Sequence, residues 1–343
     1  MRRGNKRLLG ALLSALLLAM LVSGGCGKSG ESGAGGGQAG GAVVRLSLGT
    51  GGTGGTYYPY GAAVAKIINN YVPGVEATAE VTGASVENLR LVGSGEIQMG
   101  LAMDDAVYHA LKGIVEFNAP VKVYTLFEMY PHFLHMVALH DTPVDKVNDL
   151  RGKKVSVGAP GSGTEVMSRQ VLESLGITYN DFTVHRLSFS ENTEALRDNV
   201  IDVGIWSVGP PTSSIMDLAT THKIKMIGLS QEEIQKVTSQ HPYYHAMELP
   251  AGTYRGVDSA VPGLSVWNTC VVSPELSEDM VYSIVKALFE HVNELIEVYP
   301  GAKWTTPEST VKYATAPLHP GVVKYFREIG IEVPERLLPE EVK

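Results

Sequence analysis

Leu48-Gly49-Thr50-Gly51-Gly52-Thr53-Gly54-Gly55-Thr56-Tyr57-Tyr58-Pro59-Tyr60-Gly61 is the segment that most strongly constrains the architecture of this 343-residue chain. It lies between an alternating strand candidate, 43–48, and an apolar helical run, 62–68. Glycine permits tight turns and close approach to a ligand, and a helix start presents unpaired N–H groups at the positive end of its dipole. We therefore predict a cradle for an anion such as a carboxylate. The alternative, a merely tight strand-to-helix turn, requires fewer glycines than the five found in residues 49–56.

The same order of strand, glycine loop and helix recurs in the middle of the chain. A short strand, 155–157, leads into Gly158-Ala159-Pro160-Gly161-Ser162-Gly163-Thr164-Glu165, and a helix is expected over 166–175. Ser162 and Thr164 place hydroxyl groups at the helix start, where such side chains can cap the free N–H groups of the helix. Glu165 places a negative charge in the first turn, which the helix dipole favours. Two cradles in separate units predict a cleft that holds an anion from both sides.

Neither loop carries a catalytic signature. The Gly-Lys-Ser/Thr ending of a phosphate-binding loop is missing from both sequences. Pro160 occupies the position where a nucleophile elbow requires glycine. The acidic residue expected about 20 positions after a dinucleotide-binding loop is also out of place, since Glu80 lies further away. We expect a binding protein without catalysis and without a cofactor.

The N-terminus has the pattern of an export signal. Four basic residues precede an apolar run, 8–22, which is shorter than the roughly 20 residues of a membrane span. The run ends in Leu21-Val22-Ser23-Gly24-Gly25-Cys26, which resembles a bacterial lipoprotein signal. We predict a signal peptide over 1–25 and lipidation of Cys26, the alternative being an ordinary cleaved signal. An extracytoplasmic, membrane-anchored protein follows from this interpretation.

Residues 26–42, rich in glycine, serine and alanine, are expected to form a flexible tether with a mean span of roughly 20 Å. The remaining body is acidic, because the formal net charge of −8 includes the four basic residues of the signal. Nucleic acid is therefore not an expected partner. Cys270 lies in an apolar strand candidate and is interpreted as a buried small side chain.

Strand-like and helix-like segments alternate along the body, which predicts an α/β fold with parallel sheets flanked by helices and a ligand at the strand ends. We expect two lobes, the first formed by 43–137 with 262–343 and the second by 138–261. Residues 121–139 are predicted to form two strands joined by a crossing, because Pro131 would interrupt a helix. A single amphipathic helix is expected over 281–299.

Several side chains remain open to two interpretations. Ser85 is either a helix cap or a hydroxyl presented to the ligand. Trp206 either covers an apolar part of the ligand or packs in the core. His132 and His135 invite a metal interpretation, but residues three apart on a strand face opposite ways, so no metal site is predicted.

Seven motifs spread over the body resemble the TAXI solute receptors, the substrate-binding components of one class of TRAP transporter. In chain order they are Gly49-Thr50-Gly51-Gly52-Thr53-Gly54-Gly55-Thr56-Tyr57-Tyr58-Pro59, Thr82-Gly83-Ala84-Ser85-Val86-Glu87-Asn88-Leu89, Leu150-Arg151-Gly152-Lys153, Gly161-Ser162-Gly163-Thr164, Pro250-Ala251-Gly252-Thr253-Tyr254, Pro317-Leu318-His319-Pro320-Gly321 and Tyr325-Phe326-Arg327-Glu328. The resemblance covers residues 43–330.

This resemblance implies a two-lobed fold of the type II periplasmic-binding-protein kind, whose cleft closes on an organic anion such as glutamate or a dicarboxylate. It implies delivery of that anion to the membrane permease subunits of a TRAP system by a monomeric receptor. The ligand contacts that it places, together with Gly54 and Gly163 of the two loops, are Thr53, Thr56, Tyr57, Ser85, Ser162, Thr164 and Trp206.

The chain departs from the family pattern at two places near the expected cleft. Met103 and Asp104 stand where members of the family often carry Gln-Ser, and His132 stands where they often carry glutamate. We keep Met103 and Asp104 among the candidate ligand contacts. A ligand sensor for a signalling partner is the alternative function, and an enzyme with His132 or His135 as its base is a third.

Overall fold

The structure is a computed structural model that describes residues 43–342. The predicted signal peptide (1–25), the tether (26–42) and Cys26 lie outside the described residues. The strands, in chain order, are β1 (Val44–Gly49), β2 (Val75–Glu80), β3 (Met99–Met103), β4 (Tyr124–Glu128), β5 (His132–Leu139), β6 (Lys154–Ser156), β7 (Thr183–His185), β8 (Val203–Val208), β9 (Ile224–Met226), β10 (Tyr244–Leu249), β11 (Val261–Val266) and β12 (Asn268–Val272).

Helices connect these strands and cover the sheets. In chain order they are α1 (Tyr57–Tyr71), α2 (Ser85–Ser94), α3 (Asp104–Lys112), α4 (Gly163–Ser174), α5 (Phe189–Arg197), α6 (Ser213–Thr221), α7 (Gln231–Gln240), α8 (Glu278–Glu290), α9 (Val292–Val298), α10 (Pro307–Tyr313) and α11 (Pro320–Glu328). None of the helices within 43–342 has the length and apolar character needed to cross a membrane.

The strands form two sheets. The first has the order β2-β1-β3-β12-β4, and the second has the order β10-β11-β5-β8-β6-β7, with β9 paired to the end of β5. Each sheet with its helices is called a lobe from here on. In the first lobe, one apolar cluster includes residues of α1, α8 and α11, and another includes residues of α2 and α3. In the second lobe, one cluster includes residues of α4 and α7, and another includes residues of α5 and α6. The predicted α/β fold with two sheets is confirmed.

The prediction that the sheets are mostly parallel is wrong: both sheets are mixed, because the crossing strands run antiparallel to their neighbours. β1 pairs in parallel with β2 and β3, whereas β12 is antiparallel to β3 and β4. In the second sheet β6 is parallel to β7 and β8, whereas β5 is antiparallel to β8 and β11. The two strands expected within 121–139 are β4 and β5, and they belong to different sheets.

The chain changes lobe between β4 and β5, at residues 129–131, and again at Trp267 between β11 and β12. The expected borders, after Val137 and before Pro262, lie inside β5 and β11. The first change of sheet coincides with the crossing predicted at Pro131, although the expected lobe border was placed later. At the second change the mostly apolar segment 261–272 continues through Trp267, so the sequence carried no local signal there. We propose 129–131 and Trp267 as the lobe borders.

The largest differences from the sequence-based helix bounds are at α1 and at residues 281–299. The helix after the first glycine loop begins at Tyr57, five residues earlier than expected, because a proline such as Pro59 is tolerated in the first turn, where its missing N–H has no intrahelical partner. The single helix expected over 281–299 is instead two helices, α8 and α9, separated at His291.

Candidate functional site

A cavity of about 90 Å³ lies between the two lobes. Its lining residues are Gly51, Gly52, Gly55, Thr56, Tyr57, Thr82, Gly83, Ala84, Ser85 and Met103 of the first lobe, and His132, Ala159, Ser162, Gly163, Thr164, Ser188, Phe189, Ser207 and Val208 of the second. Both glycine loops contribute to the wall.

Four helices begin at this cavity. The residues that directly precede α1, α2, α4 and α5 are Thr56, Ala84, Ser162 and Ser188, and all four line it. The first N–H groups of a helix have no intrahelical acceptor and form the positive end of its dipole. The cavity therefore collects partial positive charge from the backbone of both lobes.

The side chains that line the cavity carry no formal charge. Among the described residues that form its wall, none is arginine, lysine, aspartate or glutamate. Within this wall, the partial positive charges are those of helix starts and backbone amides; that they attract an anion stays a prediction.

The hydroxyl groups of the second glycine loop are engaged within the protein. Ser162 Oγ donates to Ala159 O (2.7 Å) and accepts from Glu165 N (3.2 Å), so this side chain caps α4. Thr164 Oγ1 accepts from Ser207 N (3.3 Å). What this loop can offer to a ligand is therefore its backbone N–H groups.

Ser85 does not cap α2, so that interpretation is wrong. The residue before the helix is Ala84, at φ 77°, and Ser85 is the first helical residue. Ser85 Oγ accepts a hydrogen bond from Met103 N (3.1 Å), which ties the start of α2 to the end of β3. Both Ser85 and Met103 line the cavity.

The first glycine loop is divided between the cavity and a contact with the other lobe. Thr56 and Tyr57 line the cavity, but Thr53 and Gly54 do not; they line a separate surface depression beside α5 and α6. Gly54 O accepts from Thr212 Oγ1 of the second lobe (3.2 Å). Thr53 and Gly54 are thus placed at the seam between the lobes, because the loop turns before α1 begins.

Trp206 packs in the core of the second lobe. It is fully buried, its Nε1 donates to Ser214 Oγ (3.2 Å), and it is not among the lining residues. The aromatic side chain that the second lobe places at the cavity beside Trp206 is Phe189, whose ring centroid lies 6.2 Å from that of Trp206. Sequence reasoning missed Phe189, although Ser188 and Glu191 around it form a capping box that marks the start of α5.

Asp104 does not face the cavity either. Its carboxyl group accepts a hydrogen bond from Thr269 Oγ1, which also lies 2.5 Å from Glu128 Oε1. Burial raises the pKa of Asp104 to about 7, and burial followed by the charge of Asp104 raises the pKa of Glu128 well above its usual range. Asp104 was predicted near the cleft from the resemblance to the receptor family, but the start of α3 turns it towards β12.

The two histidines lie on opposite faces of β5, as predicted. His135 is bonded through Nδ1 to Phe133 O (2.8 Å) and through Nε2 to the Tyr254 hydroxyl (3.1 Å), away from the cavity. His132 lines the cavity, and neither of its ring nitrogens has a hydrogen-bond partner. Burial, followed by the charge of His135, lowers the pKa of His132 to about 3, against an opposing contribution from the Ser207 backbone.

The aromatic ring of Tyr57 forms part of the wall beside His132, with 4.9 Å between the ring centroids. The Tyr57 hydroxyl donates to Asn268 Oδ1, and Asn268 Nδ2 donates to Tyr130 O (2.7 Å). Tyr57 therefore connects the cavity wall to the two places where the chain passes from one lobe to the other.

Comparison with solved structures identifies proteins that have a similar fold. A binding protein component of an ABC phosphonate transporter from Pseudomonas aeruginosa is 11% identical over 77% of this chain and 80% of its own, with a TM-score of 0.50. At this identity the likeness shows the two-lobed periplasmic-binding-protein fold and nothing finer.

Two further similar structures are a putative L-cystine ABC transporter from Listeria monocytogenes and the alkanesulfonate-binding protein SsuA from Xanthomonas axonopodis pv. citri. The first is 15% identical over 77% of this chain and 99% of its own, with a TM-score of 0.47. The second is 14% identical over 88% and 96%, with a TM-score of 0.44.

The sequence matches the NMT1-like family over residues 48–330. This range contains both glycine loops and every residue that lines the cavity. The chain belongs to the NMT1-like family.

Proposed function

We propose that this protein is an extracytoplasmic solute-binding receptor that closes its two lobes around a small organic anion, without catalysis. The observation that carries the proposal is the convergence of four helix starts on a cavity whose wall has no charged side chain. Membership of the NMT1-like family and the shared fold are consistent with this role.

Backbone groups alone can supply the affinity of such a receptor. Micromolar binding requires about 8 kcal/mol. Charge-assisted hydrogen bonds contribute roughly 1.5–3 kcal/mol each, and favourably placed helix ends up to about 2 kcal/mol. Three or four such bonds would reach micromolar affinity after ordering costs, with no arginine required.

The proposed contacts are those predicted residues that reach the cavity, together with two that the sequence did not single out as contacts. They are Thr56, Tyr57, Ser85, Met103, Ser162, Gly163 and Thr164, with His132 and Phe189 added. The backbone of Gly163 and Thr164 and the rings of Tyr57 and Phe189 are proposed to make the principal contacts.

We further propose that the receptor serves a TAXI-type TRAP system and hands its anion, a glutamate- or dicarboxylate-like molecule, to the permease subunits. The support is the resemblance of the motifs 82–89 and 161–164, which form opposite walls of the cavity. Lipid anchoring through Cys26 would hold the receptor at the outer face of the membrane, within reach of that permease.

Thermal unfolding in the presence of candidate acids tests the anion proposal. Four- to six-carbon carboxylates are compared with their neutral amides at equal concentration. A ligand at about a hundred times its Kd adds about 2.7 kcal/mol to the free energy of unfolding, which raises Tm by several degrees. We expect acids to raise Tm and amides to leave it unchanged; equal stabilisation by amides would refute an anion site.

A further inference from the structure

Two polar side chains in the cavity wall have no hydrogen-bond partner among residues 43–342. Both ring nitrogens of His132 and the hydroxyl oxygen of Ser207 are buried without a hydrogen bond. The two residues are only 3% and 2% exposed, and both line the cavity. An unsatisfied buried polar group is costly, so such groups mark where a ligand supplies the missing bond.

The bond that His132 can make is one between neutral groups. A neutral imidazole carries one N–H donor and one acceptor nitrogen. It can therefore accept a hydrogen bond from a hydroxyl group or donate one to a keto oxygen. Ser207 Oγ can act as donor or acceptor in the same way.

An ammonium group has no counter-charge in this cavity. The nearby acids of the described chain are engaged elsewhere: Asp105 accepts from the Tyr244 hydroxyl (2.7 Å), and Glu87 accepts from Gly83 N (2.6 Å). Glu165 is paired with Arg169 and Arg186. An ammonium would also face the positive ends of four helices, which repel a cation.

We propose that the cargo is a short hydroxy or oxo acid, not an amino acid, and that His132 and Ser207 hydrogen-bond its hydroxyl or keto oxygen. This inference rests on the proposed function, because it assumes that the carboxylate is held at the helix starts. The expected cargo is therefore an acid that is similar in size to an acidic amino acid but has no ammonium group.

Calorimetric titration with two matched ligand series tests the proposal. The first series is 2-hydroxyglutarate, 2-oxoglutarate, glutarate and glutamate; the second is 2-hydroxybutyrate, 2-oxobutyrate, butyrate and 2-aminobutyrate. In at least one series we expect the hydroxy or oxo acid to bind at least tenfold more tightly than the unsubstituted acid, and the amino acid to bind most weakly. An amino acid that binds as tightly as its hydroxy analogue overturns the proposal while leaving the anion site intact. If no acid of either series binds, the proposed function falls together with this inference.

Variants of the two unpaired groups test their roles directly. His132→Phe keeps a ring beside Tyr57 but removes both nitrogens, and Ser207→Ala removes only the hydroxyl. Each variant should reduce the ratio of the affinity for the hydroxy acid to the affinity for the unsubstituted acid several-fold. If His132→Phe does not fold, Ser207→Ala alone tests the proposal. His140→Phe, at an exposed position outside the site, is the matched control and should leave the ratio unchanged. A ratio unchanged in both His132→Phe and Ser207→Ala overturns the proposal.

Discussion

At the scale of single residues, Asp104, which departs from the pattern of the receptor family that the sequence resembles, forms a buried cluster with Glu128 and Thr269. Both carboxyl groups approach the hydroxyl group of Thr269, which has only one proton to donate. One carboxyl group must therefore remain protonated for the cluster to be satisfied. The raised pKa values of both acids agree with this, and burial is the first cause in each case.

Protein stability should consequently depend on pH through Asp104. The pKa of this acid is raised by burial from 3.8 to about 7, so the unfolded chain releases the proton first. In that window the unfolded state binds fewer protons, and the free energy of unfolding falls as pH rises. Stability from this group is complete below pH 3.8 and is lost as pH rises through about 7.

Asp104→Asn should remove the loss of stability that accompanies ionisation of Asp104 at high pH. Because one pKa unit corresponds to about 1.4 kcal/mol, we expect the variant to be roughly 1–2 kcal/mol more stable than the native protein at pH 8, after partial relaxation of the site. Urea unfolding at pH 5 and pH 8 measures this, with the exposed Asp258→Asn as control. A variant that is less stable than the native protein at pH 8 would contradict the raised pKa of Asp104.

At the scale of elements, the helix starts determine how closely the lobes approach. The start of α4 lies against the end of β3 and the start of α2, and a Cβ atom on Gly163 would lie 2.5 Å from Met103 Sδ and 2.7 Å from Ser85 Oγ. Gly161 O, in the same loop, accepts hydrogen bonds from Val86 N (3.1 Å) and Glu87 N (3.3 Å). A side chain at 163 would therefore force Met103 and Ser85 to move in the closed arrangement.

Gly163→Ala should therefore weaken ligand binding while largely sparing the unliganded fold. Overpacking costs about 1–3 kcal/mol, which corresponds to a roughly 5- to 150-fold rise in Kd. Calorimetric titration with an acid found by thermal unfolding measures the change. Ser168→Ala, on the same helix at a buried unpaired hydroxyl, is the matched control. An unchanged Kd for Gly163→Ala would show that the close approach at position 163 is unimportant for binding.

At the scale of the whole molecule, several polar contacts hold the lobes together. Gly54 O accepts from Thr212 of the second lobe, and Gly161 O accepts from the start of α2 in the first. The ion pair between Glu116 and Arg169 is a further contact between the lobes. Closure of two lobes through such contacts lets a ligand shift the balance between open and closed states.

The parts of this structure that depend on local pattern could be predicted from the sequence. Both glycine loops, the helices that follow them and the two strands within 121–139 are present, because glycine content and apolar periodicity act over a few residues. The resemblance to a receptor family also anticipated the two-lobed fold.

Features set by contacts between distant segments could not be predicted in this way. Trp206 and Phe189 are both aromatic, and only the pairing of β8 opposite His135 decides that Trp206 faces the core. The start of α5 had a local signature at Ser188, but its position at the cavity depends on how the second lobe packs against the first. The chemistry of Asp104 likewise depends on Thr269, far away in sequence.

A crystal structure of the protein with a stabilising acid tests the central claim most directly. We predict carboxylate oxygens at about 2.7–3.2 Å from backbone N–H groups at the starts of α1, α2, α4 and α5, the usual range for such bonds. We also predict that no arginine or lysine contacts the acid. An acid bound outside this cavity, or held mainly by basic side chains, would contradict the account.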